Sequence, residues 1–127
     1  MQLEPLVPPG DKPRVQRYGP GGFLIAGRAV QGSVLIVGRR VISLAASSLA
    51  AVDAEALAPL ACEDPRPDLV ILGSGATFEP PPAALLRQLK ERGLAAEAMA
   101  TPAACRTFNL LLAEERLVAA LLIALPA

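Results

Sequence analysis

Histidine and tryptophan are absent from this chain of 127 residues, and aromatic residues make up only 3% of it. Without histidine the protein cannot build a Ser-His or Cys-His nucleophile pair, or a metal site with imidazole ligands. So few aromatic side chains also argue against a surface on which nucleic-acid bases stack. We therefore expect no bound metal or cofactor and no catalytic residues. An interaction role is favoured, and an enzymatic role is the alternative.

Net charge is also lacking, because twelve basic residues balance twelve acidic ones. Nucleic-acid binding depends on many basic side chains that contact phosphates, so the balance argues against a nucleic-acid partner. The longest segment without a charged residue, residues 41–52, has twelve residues. A membrane-spanning helix needs about 20 apolar residues, so no membrane span is expected.

Cysteine is scarce too, with only Cys62 and Cys105 in the chain. Two cysteines do not make a disulfide framework and are typical of free thiols in a reducing compartment. The first residues, Met1–Pro5, lack the basic and apolar regions of a signal peptide. These features together predict a soluble, cytoplasmic protein.

The first half of the chain alternates short β-rich segments with glycine turns. Residues 1–13 are rich in proline and predict an extended arm, and residues 14–127 are expected to form a single α/β domain. Short strands separated by turns favour an antiparallel β unit near the N-terminus. The predicted strands are residues 15–18, 23–27, 33–37 and 41–44, and Asp53 is the expected N-cap of a helix over residues 54–60.

In the second half, strand and helix patterns alternate. The nearly all-apolar segment 68–72 is typical of a strand covered on both faces. A β-α-β-α-β order predicts an α/β sheet with helices on its faces. The predicted elements after that strand are a helix ending at Arg92, a strand over 94–100, a helix from Thr101 to about Glu114, and a strand over 117–125.

Five motifs occur in an order that resembles a known family of small α/β domains. The motifs are Tyr18-Gly19-x-Gly21-Gly22-Phe23, Gly32-Ser33-Val34-Leu35-Ile36, Gly73-Ser74-Gly75, Met99-x-Thr101 through Asn109, and Arg116-x-Val118-Ala119-Ala120. This family includes a mitochondrial respiratory complex I assembly factor, an adipogenesis-associated animal protein and many uncharacterised prokaryotic members. The resemblance implies a three-layer fold with a mixed central sheet, no established catalytic activity, and a protein partner in respiratory-complex assembly.

The chain departs from the family pattern at three positions. Leu44 stands where many members carry tryptophan, Phe108 where tyrosine is common, and Glu115 where glycine is common. The loss of a large aromatic at Leu44 affects the expectation of a shared partner surface more than it affects the fold.

Two loops that follow predicted strands form a candidate ligand site. Ligands of α/β sheets bind where strands end and helices begin. Glycines let a ligand approach the backbone, and a helix N-terminus with an arginine attracts anions. If their strands are adjacent and parallel, both loops open at one edge of the sheet. The candidate ligand-binding residues are Gly73, Ser74, Gly75, Thr101, Arg106 and Asn109.

Each of these residues also has a structural interpretation. The glycines can serve a turn, Thr101 can cap its helix, and Asn109 can satisfy a backbone group. Arg106 can pair with Glu114, with Glu115 or with a carboxyl-terminal backbone group. Cys105 is the candidate reactive thiol, because a helix N-terminus and an adjacent arginine stabilise a thiolate. It also lies on the apolar stripe of its helix, which predicts a packing role instead.

Besides a thiol-based sensor at Cys105, two functions compete. The favoured one is a non-enzymatic interaction or assembly-factor-like module, with an exposed apolar patch at the Phe23 hairpin or in segment 45–51 and with self-association as a homodimer. The alternative is a small-anion or nucleotide-binding protein, and potentially an enzyme, that uses the loop Gly73–Gly75 and the helix start Thr101–Asn109.

Overall fold

A computed structural model describes residues 6–127, and the first five residues of the predicted arm 1–13 lie outside the described residues. The described part contains eight strands, three α-helices and two 3₁₀ helices. The strands are β1 Val15–Gly19, β2 Gly22–Ile25, β3 Arg28–Gln31, β4 Ser33–Val37, β5 Arg40–Leu44, β6 Leu69–Gly73, β7 Ala95–Met99 and β8 Val118–Leu122. The 3₁₀ helices are Leu49–Ala51 and Ala54–Leu57, and the α-helices are α1 Ala58–Cys62, α2 Ala83–Glu91 and α3 Thr101–Ala113.

The strands form two sheets, which confirms the predicted fold class. Strands β1, β2 and β3 make an antiparallel sheet near the N-terminus. The second sheet has the order β5-β4-β8-β6-β7 and is mixed, because β6 is parallel to both β7 and β8 while β4 is antiparallel to β5 and β8. The predicted α/β domain with a mixed central sheet and an N-terminal antiparallel unit is therefore present.

Both faces of the five-stranded sheet are covered, and its central strands are almost entirely apolar. All five residues of β4 and of β8 are buried, as expected for strands covered on both sides. On one face, α3 and the three-stranded sheet pack in a cluster that contains Ile71 and Phe108. On the other face, α1, α2 and the 3₁₀ helices pack in a cluster that contains Leu72 and Leu121.

Strand β3 was absent from the predicted elements. It follows a two-residue turn at Ala26 and Gly27, whose φ angles are 48° and 81°. Such a turn requires positive φ at both positions, and its usual sequences are Asn-Gly and Asp-Gly. Ala-Gly followed by a short segment with Arg28 and Gln31 carries neither signal, and pairing with β2 forms the strand.

The helix predicted over 54–60 is divided in two. Asp53 is the N-cap as predicted, since its Oδ1 accepts the Ala56 N–H at 3.0 Å. The first turn is a 3₁₀ helix, Ala54–Leu57, and α1 continues from Ala58 to Cys62. Within residues 6–127, no helix combines the length and the apolar composition that a bilayer crossing requires.

Candidate functional site

The two candidate loops meet at one edge of the five-stranded sheet. Strands β6 and β7 are adjacent and parallel, and Gly73 pairs with Met99 at their carboxyl ends. The loop after β6 then bonds to the start of α3. The Thr101 N–H donates to the Gly75 carbonyl at 2.8 Å, and the Gly75 N–H donates to the Thr101 hydroxyl at 2.9 Å. Gly73, Ser74, Gly75 and Thr101 are thus brought together.

The polar groups of Thr101 form hydrogen bonds within the protein. Its side chain is fully buried, and its hydroxyl donates to the Ile123 carbonyl at 2.7 Å while accepting the Gly75 N–H. The expected capping role for Thr101 is wrong, because Ala100 occupies the N-cap position without a side-chain bond. The hydroxyl instead joins α3 to the ends of β6 and β8.

Gly73 is needed for this close packing. A Cβ at position 73 would lie 2.8 Å from the Thr101 hydroxyl oxygen and 3.1 Å from a methyl carbon of Leu122. Both distances are shorter than ordinary van der Waals contact, so a side chain would push α3 away from the sheet. Gly73 therefore serves the approach of the helix to the strand ends.

Ser74 organises its own loop. Its hydroxyl donates to the Thr77 carbonyl at 2.8 Å and accepts the Glu79 N–H at 2.9 Å. Its backbone N–H donates to the Met99 carbonyl at 2.9 Å. The serine is buried, and these bonds leave its hydroxyl donor engaged inside the protein.

The N-terminus of α3 has little capacity for an anion. The first N–H groups of a helix normally lack partners and attract negative charge. Here the Thr101 N–H bonds to Gly75 and the Ala104 N–H bonds to Ala100, while Pro102 has no N–H. Among the described residues of this first turn, only the Ala103 N–H has no hydrogen-bond partner.

Arg106 and Asn109 lie farther along α3. Asn109 is eight residues beyond Thr101, about 12 Å along the helix axis. Its Oδ1 accepts the Val15 N–H and its Nδ2 donates to the Val15 carbonyl, both at 2.9 Å. Asn109 therefore satisfies backbone groups of β1. Arg106 is exposed, and Glu115, one of its expected partners, pairs with Lys12 at 2.7 Å.

Cys105 is a core residue. Its side chain is 2% exposed and packs in the same cluster as Ala104 and Phe108. Burial raises the pKa of the Cys105 thiol to about 12, although the charge of the adjacent Arg106 opposes the increase. A thiolate is the reactive form, so the structure favours the packing interpretation over a reactive thiol. Cys62 is exposed and free.

The two segments expected to form an apolar patch have different outcomes. The prediction of an exposed apolar patch at the Phe23 hairpin is wrong, because the Phe23 side chain is buried beneath the three-stranded sheet. Segment 45–51 does border an open groove of about 370 Å³, which we call the alanine groove. The alanine groove is lined by Gly32, Ser33, Leu44–Ser47 and Ala124–Ala127.

The alanine groove is mostly apolar. None of its lining residues has a charged side chain, and most are alanine or leucine. A second depression of about 100 Å³ shares Leu44, Ala45 and Ala46 with it. Sequence reasoning missed the other wall, Ala124–Ala127, because that wall is next to Leu44 only after β4 pairs with both β5 and β8.

Comparison with known proteins identifies relatives along nearly the whole domain. The sequence model of a family described as "Protein of unknown function (DUF498/DUF598)" matches residues 15–123. "NADH dehydrogenase [ubiquinone] 1 alpha subcomplex assembly factor 3" of Danio rerio is 37% identical over 113 residues, which are 89% of this chain and 65% of the relative. The chain thus spans somewhat less than two thirds of that assembly factor.

Two bacterial proteins are similar over more of their own length. The Rhodobacter capsulatus protein "Uncharacterized protein RCAP_rcc01784" is 35% identical, over 88% of this chain and 85% of the relative. A crystal structure described as an outer membrane protein from Bartonella henselae superposes with a TM-score of 0.81 at 32% identity, covering 92% of this chain and 98% of that chain. These relatives confirm the family expected from the sequence motifs.

Proposed function

The chain belongs to the DUF498/DUF598 family, and from this premise we propose that it is a non-enzymatic interaction module of the assembly-factor type that binds a protein partner. Relatives named as complex I assembly factors support the proposal. The observation that carries it is the alanine groove, an open apolar surface at the edge of the sheet.

The lining of the groove determines what it can bind. Small side chains leave the surface open, and the absence of charged side chains means that an apolar segment can dock without burying an unpaired side-chain ion. Wall residues Ala45 and Ser47 are exposed. Apolar surface removed from water on docking contributes roughly 25 cal/mol per Å². An apolar loop or helix of a protein partner is therefore the proposed occupant.

The test compares two glutamate substitutions at exposed alanines. Ala45→Glu places a charge in the groove, and Ala83→Glu places one at the start of α2, outside the groove. Wild-type and variant proteins are used to isolate partners from native extract, and bound proteins are quantified by mass spectrometry. We expect Ala45→Glu to lose a stoichiometric partner that Ala83→Glu retains, with both variants melting within about 2 °C of wild type.

Two results would contradict the proposal. If wild type captures no stoichiometric partner and does not self-associate, the interaction function fails. If Ala45→Glu and Ala83→Glu retain the same partner equally, the groove is not the binding surface.

The alternative proposal is small-anion or nucleotide binding at Gly73–Gly75 and Thr101–Asn109. The meeting of these two segments supports it, whereas the internal bonds of Thr101 and Asn109 weaken it. The test measures the melting temperature with phosphate and nucleotides, for wild type and Arg106→Ala. Stabilisation of wild type that Arg106→Ala abolishes would favour this alternative. We expect no stabilisation in either protein.

A cytoplasmic location is also part of the proposal. The free cysteines Cys62 and Cys105 support it. Cell fractionation with an antibody against the chain tests the location, and recovery in the membrane fraction would contradict it.

A further inference from the structure

Strand β7 forms one edge of the five-stranded sheet and pairs only with β6. The Met99 carbonyl accepts the Ser74 N–H, so Met99 points its backbone groups toward β6. Backbone direction alternates along a strand, so Ala95 and Glu97 also face β6. Ala96 and Ala98 then point their N–H and C=O groups away from the sheet. Within residues 6–127, these outward groups make no backbone hydrogen bond.

Two other edge strands, β1 and β5, are partly covered by the chain itself. Asn109 bonds both backbone groups of Val15 on the outer side of β1, as a neighbouring strand would. At β5, Leu6 forms an antiparallel bridge to Arg40. An edge with unpaired backbone groups is a template for another strand, and β7 retains that property.

The side chains of β7 leave access to its edge. Three of its five residues are alanine, and Ala96 and Ala98 are small enough for a second backbone to approach. Glu97 is exposed at the middle of the strand. Helix α3 packs mainly against β6 and β8. In the part of the chain that the structure describes, Glu97 has no ion pair.

We infer that β7 accepts an extended strand of a partner protein that carries lysine or arginine opposite Glu97. The incoming strand supplies the missing backbone hydrogen bonds, which is the recurring mode of strand addition. Glu97 selects a basic residue, because opposite charges across two strands are favourable and like charges are not. A second copy of the chain is disfavoured, since full antiparallel overlap places Glu97 opposite Glu97.

This surface is distinct from the alanine groove. Strand β7 is at one edge of the sheet, whereas Leu44, a groove residue, belongs to β5 at the opposite edge. Either surface can therefore fail its test without affecting the other.

The chain itself provides a defined probe. The Glu97→Lys variant presents the same strand with a lysine at its centre, so wild type and this variant are complementary in the fully overlapped register. Sedimentation velocity is measured for wild type, for Glu97→Lys and for their equimolar mixture, up to about 1 mM, because small interfaces associate weakly. We expect the mixture to dimerise about tenfold more tightly than either protein alone.

A proline variant locates the interface. Ala98→Pro in either partner removes an outward N–H without removing a bond to β6, and proline is tolerated on edge strands. We expect it to abolish dimerisation of the mixture. Amide hydrogen exchange of the unmodified mixture gives a second readout that does not depend on the fold of the proline variant. The Ala96 and Ala98 amides should become protected on mixing, while the Glu97 amide is protected before and after.

Three results would overturn the inference. The first is a mixture that stays monomeric. The second is dimerisation of wild type alone as tight as that of the mixture, which would make a second copy the occupant. The third is a dimer without new protection at Ala96 and Ala98, which would place the interface elsewhere.

Discussion

At the scale of single residues, the candidate ligand site is a structural joint. Thr101 connects the start of α3 to the ends of two strands, and Gly73 leaves the room for that connection. The backbone conformation at Glu115 explains why glycine is common at this position in the family. The Glu115 φ angle of 62° lies in the left-handed region that favours glycine, which is the common residue there in the family that the sequence resembles.

Replacing Thr101 tests the joint. Thr101→Val keeps the shape of the side chain but leaves the Gly75 N–H and the Ile123 carbonyl without their partner in a buried place. Each such group costs about 1–3 kcal/mol, so the free energy of unfolding should fall by about 2–6 kcal/mol in chemical denaturation. Thr107→Val, at a half-buried threonine of the same helix, should change it by less than about 1 kcal/mol. Equal effects at both positions would contradict the assigned role of Thr101.

Cys105 should be inert in the folded protein. Alkylation at pH 8 followed by mass spectrometry should label exposed Cys62 and leave Cys105 unlabelled until the protein is denatured. The pKa of Cys105 rises from 9.0 to about 12 on folding, so between these values the folded state holds a proton that the unfolded state releases. Stability should therefore fall as pH rises above about 9. Cys105→Ala should flatten that decline, and an unchanged slope would contradict the burial of the thiol.

At the scale of elements, α3 connects the two sheets. It packs on β6 and β8 with its apolar stripe and reaches β1 through Asn109. Arg106 and Asn109 are three residues apart, a spacing that places two side chains near each other on a helix surface. In the structure, Asn109 faces β1 and Arg106 is exposed.

Removing the Asn109 side chain should loosen β1 in particular. Asn109→Ala leaves the Val15 N–H and carbonyl without partners, so the free energy of unfolding should fall by about 1–2 kcal/mol. The Val15 amide should exchange faster with solvent through local opening of β1. Exchange of the Ile71 amide in the central sheet should change only as much as the lower global stability requires. Leu110→Ala is the control, because Leu110 is 60% exposed. Val15 exchange that does not accelerate would show that Asn109 does not hold β1.

At the scale of the whole molecule, two apolar clusters share one sheet. Neighbouring residues of β6 point to opposite faces, so Ile71 belongs to one cluster and Leu72 to the other. A shared sheet couples the two clusters, because neither can lose its packing without disturbing the strands of the other.

Substitutions on the two faces should therefore act on a single transition. Ile71→Ala and Leu72→Ala should each lower the free energy of unfolding by about 2–5 kcal/mol. Scanning calorimetry should show one cooperative peak for wild type and for both variants. Two separated peaks in either variant would mean that the clusters unfold independently and would contradict the proposed single domain over residues 14–127.

The sequence by itself determined the alternation of strands and helices in the second half of the chain. Apolar periodicity, Asp53 as a cap and glycine stops are local signals, and they led to strands and helices close to those observed. It also indicated the shared edge of the candidate loops, since parallel neighbouring strands end on the same side. Strand β3 was not predicted, because its turn lacks the usual residues and the strand is stabilised by pairing with β2.

Only the tertiary structure decided what the candidate residues do. Thr101 and Asn109 are polar residues whose side-chain partners lie far away in the chain, 94 positions for Asn109 and Val15. A hydroxyl or amide can face a ligand or a backbone group, and the choice depends on which groups the fold brings within hydrogen-bond distance. The alanine groove and the open edge of β7 likewise exist only after strand order places their walls and their unpaired backbone groups.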